Sequence, residues 1–198
     1  MLKNKMRVIA GRLKSRGLVA PAGLATRPTT DRLRETLFNV LTQGAVDRVG
    51  GAAFLDLYAG SGGVGIEAVS RGAAQVTFVE QGQAALAVLG KNLAGLGIRR
   101  GVTVEKRSVG SFLRRAVEAQ AGVRYGVVFL DPPYEAEAEY SQTLELLGGA
   151  GVRLLAEGAL VVAEHRKKDA LQERYGVLVR VRELKQGDAG VSFYQVGE

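Results

Sequence analysis

Four consecutive residues, Asp131, Pro132, Pro133 and Tyr134, follow directly on an apolar run at 127–130. Such a run is typical of a buried strand, and proline ends a strand because it lacks a backbone N–H donor and fixes φ. The strand therefore brings a carboxylate, a carbonyl oxygen outside regular structure and an aromatic ring to one stiff corner. This set of groups suits a pocket that binds a planar amine.

An exocyclic amine of a nucleobase is a poor nucleophile, because its lone pair is delocalised into the ring. If Asp131 and the carbonyl oxygen of Pro132 each accept one N–H, the nitrogen becomes pyramidal and its lone pair can point at a methyl donor. In this hypothesis Tyr134 stacks on an unpaired or flipped base, a contact worth about 1–3 kcal/mol in single-strand binders. The alternative is a stiff strand exit at which Asp131 only begins a turn.

A glycine-rich turn at 60–65 has the pattern G-x-G-x-x-G, follows a predicted strand and opens a predicted helix. Glycine allows a tight turn and lets a ligand touch the backbone. Glu80 ends the next strand, where a carboxylate can accept both hydroxyl hydrogens of a ribose. The pattern predicts a nucleoside ligand, either a dinucleotide or S-adenosylmethionine.

Asp56 distinguishes between these two ligands, because it lies at the end of the first strand, just before the glycine turn. A pyrophosphate would meet unfavourable negative charge there, whereas the sulfonium and ammonium groups of S-adenosylmethionine would be attracted. The residues thus favour S-adenosylmethionine over a nicotinamide cofactor. Asp56 could also simply hydrogen-bond the backbone of the turn.

The elements that must position these groups alternate along the chain. We expect seven strands, with a helix after each of the first four, at 52–57, 75–80, 102–106, 127–130, 159–164, 177–181 and 191–196. This alternation predicts an α/β fold with a doubly wound sheet, whose ligands lie at the carboxyl ends of the strands.

The positive charge of the chain is concentrated at its start. Of the net charge of +7, residues 1–34 hold nine basic residues against one acid (9 − 1 = +8), whereas the remainder holds 18 basic and 19 acidic residues (18 − 19 = −1). A basic segment on a near-neutral domain favours a polyanion such as nucleic acid, and the alternative is a solvated, solubilising face. Residues 6–11 and 16–20 are β-prone and predict a hairpin, and a helix is expected to begin after residues 29–31 and to end near 43–44. We therefore divide the chain into a basic hairpin-and-helix appendage at 1–45 and a domain at 46–198, together one compact unit.

The composition excludes several kinds of site. The chain has no cysteine, so disulfides, thiolate metal sites and cysteine nucleophiles are excluded, and His165 as the single histidine disfavours a histidine metal cluster or a Ser/His triad. No apolar run approaches the roughly 20 residues of a membrane span, and the basic start lacks the apolar stretch of a signal peptide. We expect a cytoplasmic protein without a metal.

These motifs resemble the bacterial 16S rRNA guanine-N2 methyltransferases, the small-subunit rRNA methyltransferase D type, over nearly the whole chain. The matching stretches are residues 6–11, 27–39, 56–62, 80, 92–93 and 131–134. The resemblance implies a class I S-adenosylmethionine-dependent methyltransferase (Rossmann-like) fold with a seven-stranded sheet and an N-terminal β-hairpin. It also implies methyl transfer to the N2 amine of one guanine of 16S rRNA, within an assembled or assembling small ribosomal subunit.

Motifs and resemblance together assign three sets of residues. Asp131, Pro132, Pro133 and Tyr134 are expected to hold the amine. The cofactor is expected to contact Asp56, Tyr58, Gly60, Ser61, Gly62, Glu80 and Ser108. The RNA is expected to contact Arg7, Arg12, Arg27, Thr30, Arg32 and Arg34. Two positions depart from the family pattern: Gly82 stands where many members have an acid, and Ser108 replaces an acid or amide after the third strand.

Three other functions are weighed against this one. A DNA adenine-N6 methyltransferase uses the same proline corner, but no segment here is long enough for its usual target-recognition domain. A non-catalytic nucleic-acid binder with this fold is disfavoured by the intact Asp131 and the intact glycines. An NAD-dependent oxidoreductase could use His165 as its acid and base, but it would leave the proline corner without a use.

Overall fold

The computed structural model describes residues 6–20, 30–43, 46–119, 122–133 and 137–197. Its strands form one mixed sheet of eight: β1 (Ala53–Leu57), β2 (Gln75–Glu80), β3 (Val102–Lys106), β4 (Tyr125–Leu130), β5 (Leu155–Arg166), β6 (Arg174–Tyr175), β7 (Leu178–Gln186) and β8 (Ala189–Val196). The α-helices are α1 (Asp31–Thr42), α2 (Gly63–Ser70), α3 (Gln83–Gly95), α4 (Val109–Glu118) and α5 (Glu137–Gly148). Short 3-10 helices lie at Gly11–Leu13 and Ala150–Leu154. The predicted α/β alternation is confirmed.

The order of the strands across the sheet is β3-β2-β1-β4-β5-β8-β7-β6. The strands β3, β2, β1, β4 and β5 pair in parallel, and the other three are joined by antiparallel pairing. The order reverses between β1 and β4, because the chain builds outward from β1 to β3 and then returns to β4. In such sheets ligands bind at this switch point, outside the carboxyl ends of the strands.

The prediction of seven strands is wrong by one. The additional strand is β6, which contains only two residues and pairs with the start of β7 at the sheet edge. Two residues are too few to show the alternation by which a strand is read from sequence. The strand expected at 159–164 is also longer, because β5 begins at Leu155 and passes through Gly158, a residue with positive φ.

The predicted N-terminal β-hairpin is not confirmed. Residues 6–20, which we call the N-terminal segment, reverse direction around Gly11–Leu13 and form a single antiparallel bridge, between Arg7 and Gly17. No strand forms within this segment. Val8 and Leu18 donate backbone N–H bonds across the segment, to Arg16 and Met6. The pairing does not extend further, because the N–H groups of Ile9 and Ala10 donate to the Glu67 carboxylate at 2.8 and 3.0 Å.

Two hydrophobic clusters cover the two faces of the sheet. The cluster on the first face joins the N-terminal segment, α1, α2 and α3 to the sheet around Phe38, Phe54 and Phe78. The cluster on the second face packs α4 and α5 against the sheet. The basic start of the chain is therefore part of the core of the first face, and its division from the domain at residue 45 stays a prediction. Among the described residues no helix has the length and apolar character needed to cross a membrane.

Candidate active site

The predicted glycine turn joins β1 to α2 at the switch point of the sheet. Gly60 and Gly62 have φ angles of 55° and 82°, a left-handed conformation that glycine adopts without strain. A Cβ on Gly65 would lie 2.3 Å from the Phe78 ring, so α2 can approach β2 only without a side chain there. At Gly60, in contrast, the nearest atom to such a Cβ is 3.9 Å away. The turn therefore has open space beside its backbone, where a ligand can approach.

Glu80 lies beside this turn, as its spacing predicted. Its Oε2 accepts the N–H of Gly60 at 2.8 Å, and its Oε1 accepts the N–H groups of Gln81 at 2.9 Å and Gly82 at 2.7 Å. A carboxylate offers about four acceptor positions, so capacity remains for a ribose hydroxyl. These bonds fix the carboxylate against the glycine turn before any ligand binds.

Asp56 is buried at the end of β1, and its Oδ2 accepts the N–H of Gly65 at 2.8 Å. This hydrogen bond to the turn backbone is the alternative role that the sequence allowed for Asp56. The pKa of Asp56 is raised to about 8, because burial and the negative charge of Glu80 raise it by more than the Gly65 hydrogen bond lowers it. A carboxyl with this pKa stays largely neutral until a nearby cation stabilises its charged form.

Tyr58 connects the start of the glycine turn to α5, the helix that follows the proline corner. Its φ of 61° places a residue with a side chain in the left-handed region, a strain that is common in functional sites. Its hydroxyl donates to Oε2 of Glu139 at 2.6 Å and lies 2.8 Å from Oγ1 of Thr143, both on α5. Burial raises the pKa of this hydroxyl above its ordinary value. The hydroxyl therefore fixes α5, whereas a contact of Tyr58 with a cofactor stays a prediction.

Asp131 lies beside the glycine turn, because Leu57 and Leu130 are paired at the carboxyl ends of β1 and β4. Asp131 is partly exposed, Pro132 is buried and Pro133 is exposed. Burial, the charge of Glu164 and the charge of Asp56 together raise the pKa of Asp131 well above its ordinary value. The structure thus brings the predicted amine-binding carboxylate and the predicted cofactor turn to the switch point of the sheet, outside the carboxyl ends of β1 and β4. We call this place the crevice. Tyr134 lies outside the described residues, and its stacking role stays a prediction.

Glu164 belongs to the same crevice and was missed in the sequence. It follows the apolar residues 159–163 of β5, and only 3% of it is exposed. The pairing of Leu130 with Ala163 sets Glu164 next to Asp131. Its signal was available, since an acid at the carboxyl end of a parallel strand lies on the ligand side of the sheet.

Three further side chains hold the N-terminal segment beside the glycine turn. Glu67 accepts the backbone donors of Ile9 and Ala10, and it pairs with Arg71 at 2.8 Å. Ser70 accepts the N–H of Leu13 at 2.9 Å. Asn92 binds the N–H and C=O groups of Val19 at 2.8 and 3.0 Å and also donates to the carbonyl of Ser61 at 2.9 Å. The basic segment is therefore attached to the helices that border the crevice.

The predicted RNA-side residues divide into exposed and buried ones. Arg7, Arg12 and Arg32 are exposed, as is Thr30, whose hydroxyl caps α1 by accepting the N–H of Leu33 at 3.2 Å. Arg34, also predicted to contact the RNA, is fully buried, so its guanidinium does not reach the surface at which RNA would bind. A groove of about 430 Å³ between the N-terminal segment and α1 is lined by Arg7, Val8, Ile9, Lys14, Ser15, Asp31, Arg32 and Glu35. Arg27 lies outside the described residues.

His165 has a structural environment. It is fully buried, its Nδ1 lies 2.9 Å from the carbonyl oxygen of Arg166, and its Nε2 lies 3.0 Å from Oγ of Ser192. Both ring nitrogens are thus engaged within the protein, which disfavours a role in hydride chemistry. Across the ranges that the structure describes, no group of three or more acidic or histidine side chains is arranged to hold a metal ion.

Comparison with known proteins agrees with this geometry. The family described as Conserved hypothetical protein 95 matches residues 6–195. The Ribosomal RNA small subunit methyltransferase D of Escherichia coli (strain K12) is 37% identical over 191 residues, which span 96% of this chain and 90% of that protein. The chain belongs to the small-subunit rRNA methyltransferase D family. The membership predicted from the motifs is confirmed.

Solved structures extend the likeness to the fold. The Escherichia coli protein yhhF superposes with a TM-score of 0.80 at 35% identity, over 97% of this chain and 98% of that one. SMU.776, solved in complex with SAH, has a TM-score of 0.64 over 82% of this chain and 49% of that one, and at 14% identity it supports the fold alone.

The two departures from the family pattern have local explanations. A Cβ on Gly82 would lie 3.1 Å from Oε1 of Glu80, so the small residue leaves room for the N–H bond that Gly82 donates. Ser108 is exposed and caps α4, accepting the N–H of Ser111 at 3.3 Å. Its predicted contact with the adenine side of a cofactor stays a prediction.

Proposed function

We propose that this protein transfers a methyl group from S-adenosylmethionine to the exocyclic N2 amine of one guanine in small-subunit (16S) ribosomal RNA. The observation that carries the proposal is the pairing of Leu57 with Leu130, which sets Asp131 against the glycine turn. A methyl donor in the turn and an amine at Asp131 would therefore meet at the switch point of the sheet. Such positioning supplies much of the acceleration of a transfer between two bound reactants.

The residues of the crevice fit S-adenosylmethionine. The open backbone at Gly60 leaves room for the ligand, Glu80 keeps acceptor capacity for its ribose, and Asp56 can neutralise its cationic groups. When bound, the cofactor supplies an electrophilic methyl group on a sulfonium. The approach of that cation favours the ionised form of Asp56, so binding is expected to release a proton near neutral pH.

The proline corner is proposed to hold the target amine. Asp131 and the carbonyl oxygen of Pro132 each accept one N–H, which directs the nitrogen lone pair at the methyl group. A general base works best when its pKa is near the pH of the reaction. The pKa of Asp131 is raised from the ordinary acidic value of an aspartate toward neutral pH. Asp131 therefore suits the removal of a proton from the methylated amine, and Tyr134 is proposed to stack on the guanine.

The proposed partner is 16S rRNA within the small subunit or an assembly intermediate, and the proposed location is the cytoplasm. The RNA is expected to follow Arg7, Lys14 and Arg32 along the groove beside α1. Contacts of this kind to phosphates fix orientation without reading sequence. The names of the rRNA methyltransferase relatives support this choice of polyanion.

Incubation with methyl-labelled S-adenosylmethionine tests the proposal. The substrates are small subunits that lack the modification, naked 16S rRNA and DNA, side by side. We expect label in small-subunit rRNA as N2-methylguanine. Label found as N6-methyladenine in DNA, with none in rRNA, would instead establish the DNA enzyme.

A further inference from the structure

Two buried charged residues lie on the same face of the sheet as the proposed catalytic carboxylate: Glu164 in β5, one residue beyond the part that pairs with β4, and Arg34 in α1. Glu164 is 3% exposed and Arg34 is 0% exposed. Removing a charge from water is costly unless a partner compensates it. Arg34 has such a partner in Asp31, at 2.7 Å, so its positive charge is retained in the core.

The register of the sheet sets Glu164 and Asp131 side by side. Leu130 pairs with Ala163, and Asp131 and Glu164 are the next residues of the two parallel strands. Phe129 and Val162 both belong to the cluster of the first face. Side chains two residues apart point to the same face of a sheet, so the two carboxylates are directed to this face together.

Arg34 reaches the same face from α1. Its Nη2 donates to Oδ1 of Asp31 at 2.7 Å and to the carbonyl oxygen of Arg7 at 2.6 Å. Its Nε and Nη1 are buried and have no hydrogen-bond partner among the described residues. A Cβ on Gly63 would lie 2.9 Å from Nη1, so the guanidinium lies against the start of α2. The guanidinium of Arg34 thus lies between α1 and the start of α2, the helix that follows the glycine turn.

Electrostatics connects the three residues. Burial lowers the pKa of Arg34, and the negative charges of Asp31, Glu67 and Glu164 raise it. Burial raises the pKa of Asp131, and the charges of Glu164 and Asp56 raise it further. Glu164 therefore acts on both Arg34 and Asp131. Among the described residues, further charges that act on these three are those of Asp56, Asp31 and Glu67, and Arg7 and Arg71 pair with Asp31 and Glu67 in turn.

We propose that Glu164 and Arg34 are positioning residues for Asp131: the negative charge of Glu164 makes Asp131 a better proton acceptor, and the positive charge of Arg34 offsets part of this effect. The inference rests on the proposed function, because it concerns the proton of the methylated amine. In the transfer the C–S bond breaks, its electron pair stays on sulfur, and the nitrogen lone pair forms the C–N bond. An N–H bond of the resulting ammonium then breaks, its electrons stay on nitrogen, and Asp131 takes the proton.

The test compares the pH dependence of single-turnover methyl transfer in the wild type, Glu164→Gln and Arg34→Gln. In the wild type we expect the rate to fall as Asp131 becomes protonated at low pH. Glu164→Gln removes a neighbouring negative charge, so the acid limb moves to lower pH by about one unit. Arg34→Gln removes the positive charge that offsets the charge of Glu164, so the pKa of Asp131 rises and the acid limb moves to higher pH. Arg34→Lys retains the charge and keeps the limb near its wild-type position.

Two controls separate this role from a structural one. Glu183→Gln removes an exposed carboxylate of β7, paired with Lys185 at 3.1 Å, and leaves the acid limb in place. The carboxyl ¹³C signal of Asp131, assigned by its loss in Asp131→Asn, reports the same titration without turnover. It is therefore measurable even in an inactive variant.

The outcomes distinguish this inference from the proposed function. If the wild type transfers no methyl group to rRNA, the proposed function fails, and the inference fails with it. If the wild type is active but Glu164→Gln lowers the rate equally at every pH and leaves the Asp131 signal unmoved, only the inference is overturned. Opposite shifts of the acid limb in Glu164→Gln and Arg34→Gln support it.

Discussion

Replacing Asp56 with asparagine is expected to stabilise the protein at neutral pH while weakening cofactor binding. Burial raises the pKa of Asp56 to about 8 from an ordinary value of 3.8. Between these values the folded protein keeps a proton that the unfolded chain has lost. The free energy of unfolding therefore falls as pH rises through this window, because the unfolded state binds fewer protons.

The size of the effect follows from the difference in pKa. Each pH unit inside the window costs about 1.4 kcal/mol, so the rise from pH 5 to pH 7 removes about 3 kcal/mol through this group. Relaxation of the site makes this an upper bound. Asparagine has no charge to bury, and its side-chain oxygen can still accept the N–H that Gly65 donates to Asp56 at 2.8 Å. The variant should thus match the stability of the wild type in acid and be more stable than the wild type at neutral pH.

Urea unfolding of the wild type and Asp56→Asn at several pH values measures this directly. Asp188→Asn, a change at an exposed turn residue between β7 and β8, is the matched control and should keep the wild-type slope. Asp131 also has a raised pKa and contributes its own slope, so the difference between the two proteins is the quantity to compare. Parallel curves for the wild type and Asp56→Asn would refute the argument. Calorimetric titration with S-adenosylmethionine should show weaker binding by Asp56→Asn at neutral pH.

Three further predictions concern the corner, the RNA side and the N-terminal segment. Asp131→Ala should abolish methyl transfer while cofactor affinity, measured by calorimetry, stays nearly unchanged; equal losses of affinity and rate would contradict the role given to Asp131. Replacing Arg7 and Arg32 with glutamine should weaken rRNA binding. The slope of log affinity against log salt concentration, measured by filter binding, should fall by about one for each phosphate that the protein no longer neutralises. An unchanged slope would exclude an RNA-facing role for these two residues. Glu67→Ala leaves the partly buried donors of Ile9 and Ala10 without an acceptor, at a cost of at most about 1–3 kcal/mol each, so limited proteolysis should cleave the N-terminal segment first. Uniform protection of this segment would contradict its attachment through Glu67.

The elements nearest the chemistry could be predicted from the sequence, because their signals are local. The alternation of apolar strands and helices predicts β1 to β5, and the left-handed glycines of the turn explain the pattern at 60–65. Asp56, Glu80 and Asp131 follow from their places at strand ends. The structure brings the glycine turn, Glu80 and Asp131 together through the strand pairing that alternation implies.

The features that the sequence did not reveal depend on distant partners. The antiparallel pairing of the N-terminal segment does not extend past Val8, because Glu67, 58 residues from Ile9, takes the next backbone donor. Arg34 falls on the polar side of a helical pattern, yet it is buried because the N-terminal segment packs over α1. A periodicity describes one helix, and it cannot show what covers the polar side of that helix.

We propose above that Asp131 directs methyl transfer to a guanine amine of small-subunit rRNA. Nucleoside mass spectrometry of 16S rRNA tests it most directly, after incubation of unmodified small subunits with S-adenosylmethionine and either the wild type or Asp131→Asn. We expect N2-methylguanosine to appear with the wild type and to be absent with Asp131→Asn, although that variant still binds the cofactor. Equal amounts of the product with both proteins, or a methylated nucleoside other than N2-methylguanosine, would contradict it.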